Sequence, residues 1–528
     1  MKILTHPAML ALGAATLCLL TLIGPLVSPY HTAVYHLSGS ALSIFVPVLI
    51  NLCMVWLAFT LLLWFARKPG WFHIIIWTSV VILLPWLVLR DWFTFTNRQM
   101  PYWLRGLGML SPIIICVIVF LARRPSFAPL FKKICDFSEL LLGFASLSAL
   151  VVVCQLLWFA WQAHDQNASL PLHRRQSAVV TASPRPRIIW ILLDELSYQQ
   201  VYEQRFPGLH LPAFDLLADQ ATVFTHVVPA GVFTENVIPS LMTGLPVDKI
   251  RASTNGRQLT LHNPKNGEWI PFEAHQTVFQ DALDSGYNTA VAGWFNPYCR
   301  ILPQVLDECL WSSYGGVAGG MYSNQSIAWN TRQFVLSHLG TLLSLLSPGS
   351  QPRNTILDTQ FHQKDYLELF AAADKLLINP DDDFVFLHMP VPHPGGIYDR
   401  KKAAFATYNS SYIDNLALAD RYLAHLRLAL EQQGEWNSSA VIVMGDHSWR
   451  TKLLLSWPLW WTPEDEAASH GGQFDDRPAY IVKLPNQQQG SRIDDRFDAV
   501  RTRALLDGIL ADRIKTPEDL AAWVRQGK

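Results

Sequence analysis

The sequence predicts two parts with different physics: an N-terminal domain of five membrane-spanning helices and, behind it, a three-layer α/β/α sandwich. Three observations predict this. The 528 residues are 50% hydrophobic and only 16% charged, more apolar than a water-soluble chain of this length requires. The apolar residues concentrate near the N-terminus in recurring runs of roughly 20, the length with which a helix crosses about 30 Å of hydrocarbon. Beyond residue 186 the pattern changes to short apolar runs that end in acids or histidines, with helical periodicity between them.

The spans are Ala8–Val27, Ala41–Phe65, Trp71–Val88, Leu107–Leu121 and Leu140–Trp161. A buried core helix explains any one of them, but not five in succession. The fourth is short and contains Pro112. Positively charged loops stay cytoplasmic. Lys2 precedes the first span, Arg67 and Lys68 follow the second, and Arg123, Arg124, Lys132 and Lys133 follow the fourth. The loop after the first span has no Lys or Arg, although the third carries Arg98 and Arg105. The N-terminus is therefore expected inside and the C-terminal part outside. The first span has no small-residue cleavage site and is read as retained. Trp residues in and beside the spans suit an interfacial belt.

A net charge of −1 argues against the strongly basic surface that phosphate tracking needs, so no nucleic-acid partner is expected. Cys18, Cys53, Cys116 and Cys154 lie in spans and Cys135 near a cytoplasmic loop, where small apolar packing is the default role. Cys299 and Cys309 fall in the C-terminal part. In an oxidising compartment they would form a local disulfide; elsewhere each is a buried thiol.

The domains are thus residues 1–161 in the membrane, a polar linker 162–186 ("QAHDQNASLPLHRRQSAVVTASPRP"), and 187–528 as the exported domain. Within the last, "RIIWILLDELS", "DDFVFLHMPVPHP" and "SAVIVMGDHSWR" read as buried parallel strands with polar groups at their carboxyl ends. "YNSSYIDNLALADRYLAHLRLALEQQG" repeats its apolar positions at three and four residues, a helix ending near Gly434. Ligands gather at the carboxyl ends of parallel strands. Asp194, His388, His393, Asp446, His447 and His470 occupy that edge or follow it. Oxygen and imidazole donors on rigid elements suit Zn²⁺. A lone strand-end Asp is usually a cap or a turn, but an Asp-His pair with a second Asp is harder to dismiss. "FTENVIPSLMTG", Phe233 to Gly244, offers three hydroxyls, Thr234, Ser240 and Thr243, and a metal-bound hydroxyl is a nucleophile. Spacing alone does not choose among them. "FVLSHLGTLLSLLS", Phe334 to Ser347, reads as a core helix or as a segment that lies on the membrane and guides a lipid.

The order and form of "IIWILLDEL", "LPAFDLLADQATVFTHVVPAG", "TENVIPSLMTG", "GYNTAVAGW", "SYIDNLALADRYLAHL" and "VIVMGDHS" resemble the alkaline phosphatase superfamily in its sulfatase-like branch, over about Arg187 to Pro485. Sulfatases carry Cys or Ser at the head of C/S-x-P-S-R-x-x-L-x-T-G, and aligning Thr243-Gly244 puts Thr234 at that head. Threonine cannot become formylglycine, and the sulfatase Gly-Lys-Trp-His stands here as Gly293-Trp294-Phe295-Asn296. The chain is more similar to membrane-bound phosphoethanolamine transferases, which have five spans and a Thr five residues before a Pro, as Thr234 precedes Pro239.

That resemblance implies a bacterial inner-membrane enzyme with a periplasmic or extracellular alkaline-phosphatase-like domain. It implies Zn²⁺, as one or two ions or another divalent metal, held by Asp194, Thr234, Asp446 and His447, with Thr234 as nucleophile. His393 and His470 would contact the phosphate or a second metal. The donor would be a phospholipid and the acceptor an envelope glycan or lipopolysaccharide. A membrane-tethered phosphodiesterase or phosphatase is the alternative enzyme, and a non-catalytic envelope scaffold the alternative from another class. The family's Gly-Glu after the first strand is Asp194-Glu195 here, and its Asp-His-Gly-Glu is Asp446-His447-Ser448-Trp449. Its several disulfides shrink to one possible pair. Arg450, nearby, reads as an anion contact or a surface ion pair.

Overall fold

The computed structural model describes residues 4–27, 40–95, 101, 103–104, 110–162, 171–173, 185–253, 256–312, 325–344, 352–455 and 460–527, and among these six apolar helices open the chain. The chain forms two compact units, Met1–Asn167 with Val317–Pro352, and Ala168–Gly316 with Arg353–Lys528. Most of the expected linker lies outside the described residues.

The first unit contains α1 (Pro7–Val27), α2 (Ala41–Phe65), α3 (Trp71–Phe95), α4 (Ser111–Ala122), α5 (Ala128–Ala145) and α6 (Ser148–Gln162). Leu42–Phe65 and Ala128–Trp158 are long and apolar enough to cross a membrane by length and composition; Pro7–Leu20, Trp71–Trp86 and Ser111–Ala122 are shorter apolar helices. Two boundaries differ from the sequence expectation. Pro112 falls in the first turn of α4, where its missing N–H costs no hydrogen bond, and residues 107–109 of the expected span lie outside the described residues. The expected fifth span starts at Leu140, but the helix starts at Ala128. Its first turns bury Phe131, Cys135 and Ser138 on one face and expose Lys132, Lys133 and Asp136 on the other, and those charges mask it from a hydropathy reading. α1 and α5 approach closely at Gly13, where a Cβ would stand 2.1 Å from the Leu142 carbonyl oxygen.

The helix Ile327–Ser344 joins this first unit, although it lies between two elements of the second in sequence. Phe334 is buried in a cluster with Ala15, Leu19, Ile44, Leu52 and Leu156, and Asn330 donates Nδ2–H to the Ser43 carbonyl at 2.9 Å. Phe334, the first residue of that apolar stretch, therefore packs in the core of the helical unit; the side chains of residues 337–344, and residues 345–347 altogether, lie outside the described ones.

The second unit is built on eight strands: β1 (Ile188–Leu193), β2 (Thr222–Phe224), β3 (Thr289–Trp294), β4 (Glu308–Ser312), β5 (Phe384–Met389), β6 (Ala440–Met444), β7 (Tyr480–Lys483) and β8 (Ser491–Ile493). Their order is β8-β2-β7-β6-β1-β5-β3-β4. β1 pairs in parallel with both β6 and β5, and β7 alone runs antiparallel to its neighbours β6 and β2. Every residue of β1, β5 and β6 is buried, which is why these strands read as continuous apolar runs and not as alternating ones.

Helices Pro352–Ile378 and Tyr412–Gln432 cover one face, packing Leu369, Ala373, Leu416 and Leu423 with Ile189 and Ile191. On the other face Trp190 meets Phe386 and Phe386 meets Phe279 of the helix Val278–Asp284. The result is an α/β/α layering. Cys299 and Cys309 form a disulfide, and Cys18, Cys53, Cys116, Cys135 and Cys154 are free.

Candidate metal and nucleophile site

Parallel pairing brings the carboxyl ends of β1, β5 and β6 side by side, so residues far apart in sequence meet at one edge. Asp194 follows β1, His388 closes β5, and Asp446-His447 follow β6. Asp194, His388 and Asp446 are fully buried and His447 nearly so. The segment Phe233–Gly244 supplies Thr234 as the first residue of the helix Thr234–Thr243. Ser240 and Thr243 turn their hydroxyls back to the carbonyls of Asn236 and Pro239, so they serve the helix.

Thr234 is the hydroxyl that faces the cluster. It donates to Asp446 Oδ2 at 2.7 Å and stands 3.3 Å from Asp194 Oδ2 and 3.4 Å from His447 Nε2. Asp446 Oδ2 also lies 3.0 Å from His447 Nε2, while Asp446 Oδ1 accepts the Glu195 N–H at 3.0 Å. Glu195 adopts φ 64°, the left-handed region that non-glycine residues rarely occupy. That turn points its amide at Asp446 and its carboxylate at Arg450, whose Nε donates to Glu195 Oε1 at 2.7 Å and whose Nη2 donates to the same oxygen. Arg450 Nη1 in turn donates to the Val232 carbonyl at 3.3 Å, tying the approach to Thr234 to the same pair. The surface reading of Arg450 fails here: its side chain is 13% exposed and its partner Glu195 is fully buried.

The electrostatics follow from three buried carboxylates facing one guanidinium. Burial and the neighbouring Asp446 charge push the Asp194 carboxyl well above its usual range. Burial acts on Asp446 in the same sense, but the His447 charge and hydrogen bond and the Glu195 N–H outweigh it and hold Asp446 well below the usual carboxylate range. Burial disfavours the His447 imidazolium, yet Asp446 raises it overall. Burial drops His388 to about 4, and burial with the Arg450 charge holds His393 well below an ordinary histidine.

A divalent cation fits these residues. Donor atoms of Asp194, Glu195 and His447 lie within 4.8 Å of one another. Asp194 Oδ1 is buried without a hydrogen-bond partner, and an orphaned carboxylate oxygen beside two further carboxylates is a cost that a cation removes. The expected ligand set and this trio share Asp194 and His447. Glu195 joins them, while Asp446 spends one oxygen on the Glu195 amide and the other on Thr234.

His393 lies beside the cluster, its Nε2 3.9 Å from Glu195 Oε1 and its Nδ1 2.7 Å from the Pro394 carbonyl. His470 is exposed in a left-handed turn after the helix Pro463–Ala468, and none of the cluster's hydrogen bonds among the described residues involves it. Three contributors escaped the sequence: Glu195 as a donor, Tyr298, and His362, which bridges the Pro390 and Gly395 carbonyls and stacks on Trp294. Trp294, where sulfatases carry Lys, sends its Nε1–H to Asp365 at 3.0 Å inside the core.

Residues 186–485 match the sulfatase family. The chain belongs to that family, as a sulfatase-like member of the alkaline phosphatase superfamily. It is 22% identical to mouse (Mus musculus) arylsulfatase J over an alignment of 347 residues that covers 60% of this chain and 52% of that protein. The chain thus spans about half the length of the curated relative it matches. Similar solved structures include phosphonate monoester hydrolase of Agrobacterium radiobacter, at 14% identity, TM-score 0.38, and 62% and 74% coverage of the two chains. Another is murine ectonucleotide pyrophosphatase/phosphodiesterase 5, at 10% identity, TM-score 0.34, and 64% and 99% coverage.

Proposed function

We propose that this chain is a membrane-bound, metal-dependent phosphotransferase that uses Thr234 as its nucleophile. The observation that carries the reading is the Thr234 hydroxyl, 2.7 Å from Asp446 and adjoining the orphaned carboxylate of Asp194. Zn²⁺ or another divalent ion, held by Asp194, Glu195 and His447 with Asp446 and Thr234 beside them, would acidify the hydroxyl and screen charge on the phosphoryl oxygens. Asp446 orients the hydroxyl. The Thr234 oxygen bonds the phosphorus of a phospholipid head group, and the diacylglycerol oxygen leaves with the proton. An acceptor hydroxyl, from an envelope glycan or lipopolysaccharide, then takes the phosphoethanolamine or phosphoglycerol group and returns the proton to Thr234. His393, neutral and at the rim, is placed to meet a phosphoryl oxygen or a second metal.

The proposed setting is a bacterial inner membrane crossed five times by 1–161, with 187–528 exported, which would supply the lipid donor beside the site. With Thr at the head position and Trp294 in place of Lys, sulfate-ester cleavage lacks its usual groups. Hydrolysis is the second reading, since the relatives named above are a sulfatase and hydrolases and the same residues serve water as acceptor.

The test incubates metal-replete protein with head-group-labelled phosphatidylethanolamine and phosphatidylglycerol. Thr234→Ala should cut release of diacylglycerol by at least ~10³-fold with folding intact. Full activity of that variant would end the nucleophile assignment. Free labelled head-group phosphate, without a labelled glycan or lipid, would mark a hydrolase.

A further inference from the structure

Asp194 has a neighbour that the proposed chemistry does not use. His388 Nε2 lies 3.3 Å from Asp194 Oδ2, and on the other side of the ring His388 Nδ1 lies 2.6 Å from the Tyr298 Oη. Asp194, His388 and Tyr298 are all fully buried, so bulk water offers no substitute partner. A neutral imidazole has one N–H and one lone pair, and the group bonded at one nitrogen decides which nitrogen carries the proton. A phenol O–H donating to Nδ1 places the ring proton on Nε2, toward the carboxylate. With the opposite tautomer, the Nε2 lone pair would face Asp194 Oδ2 and repel it once the carboxylate is ionised, the form that binds a cation.

Tyr298 is itself held in place. A Cβ at Gly293 would stand 2.2 Å from the Tyr298 ring, so the absence of a side chain there lets the ring lie against β3. The next residue, Cys299, is bonded to Cys309 on β4.

We propose that Tyr298 and His388 are positioning residues for Asp194. The phenol selects the Nε2–H tautomer of His388, which pins Oδ2 and leaves Oδ1 presented to a divalent cation. This rests on the metal reading above, and outer hydrogen bonds of this kind set how tightly ligands hold a metal.

The experiment measures Zn²⁺ affinity of the chelator-stripped full chain in detergent by competition with a chromophoric chelator, and the thermal midpoint without metal. Tyr298→Phe should weaken Zn²⁺ about tenfold, the lower end of the effect of losing such a partner, with the metal-free midpoint near that of the wild type. His388→Gln offers an amide donor that needs no tautomer, so Tyr298→Phe should add nothing in that background. Wild-type affinity in Tyr298→Phe, or an equal loss with and without His388→Gln, would overturn the proposal and leave the metal site standing. A wild type that binds no Zn²⁺ removes the metal reading and this proposal with it. Should Tyr298→Phe not fold, His388→Met, which has no donor, must bind about tenfold more weakly than His388→Gln; equal affinities overturn the proposal.

Discussion

Glu195 and Arg450 show what a single pair can decide. Glu195 is fully buried and takes hydrogen bonds from the Arg450 side chain and, at 3.2 Å, from its backbone N–H. Removing one member of a buried ion pair strands the other, a loss of about 3–5 kcal/mol, whereas removing both costs far less. Arg450→Met should therefore destabilise the metal-free protein by about that amount, and Glu195→Gln/Arg450→Met should recover most of it. Chemical unfolding followed by tryptophan fluorescence reads this directly, and additive losses would mean the pair is not coupled. At this scale the sequence was only partly legible. Thr234, Asp194, Asp446 and His447 stood out because residue type and motif order mark them. Glu195 entered only as half of the Asp194-Glu195 departure from the family's Gly-Glu, because its position beside Asp446 and Arg450 comes from a left-handed backbone turn that residue type does not show. Arg450 was visible, but only contacts 255 residues back along the chain make it a buried partner and not a surface one.

At the scale of elements, strands and long helices were legible because their periodicity follows directly from what they bury. The helix Tyr412–Gln432 begins at its Ser411 cap and stops just before Gly434, as its spacing requires. The joint that it makes with the helix Pro212–Ala218 was not legible, since it depends on one carboxylate. Asp420 Oδ1 accepts the N–H groups of Ala213 and Phe214, both at 3.0 Å. Burial pushes Asp420 up to about 6 in spite of those hydrogen bonds. The folded state then holds more protons than the unfolded chain between the ordinary aspartate range near 4 and about 6. The contribution is complete below that window and is lost as pH rises through about 6. Asp420→Asn keeps the accepting oxygen and cannot ionise. Its thermal midpoint should stay flatter between pH 4 and 6.5 than that of the wild type, by about 2–3 kcal/mol in stability at the upper end. Identical pH profiles would show that Asp420 titrates normally.

For the whole molecule, the proposed topology turns on the parity of crossings. α5 and α6 are separate helices, and six crossings would return the sheet unit to the side of the N-terminus. The proposed topology counts five. Ala128–Trp158 is one apolar stretch of 31 residues, and the charges Lys132, Lys133 and Asp136 sit on the exposed face of its first turns. In that topology those charges, with Arg123 and Arg124 just before them, would sit at an interface, α5 would enter from the positive side and α6 would complete the same passage. Sequence hydropathy marked the apolar residues from Leu140 but not the amphipathic start of α5, because it sums over faces that the helix separates.

The cysteines test the proposed topology independently, since a reducing cytoplasm would leave all seven as thiols. With an exported sheet unit, acid-quenched cells denatured without reductant should show five thiols reactive to a mass-tagged maleimide. Reduction should expose two more, both lost together in Cys299→Ser/Cys309→Ser. Seven tags before reduction would place the sheet unit on the reducing side and leave a lipid donor of the outer leaflet out of its reach.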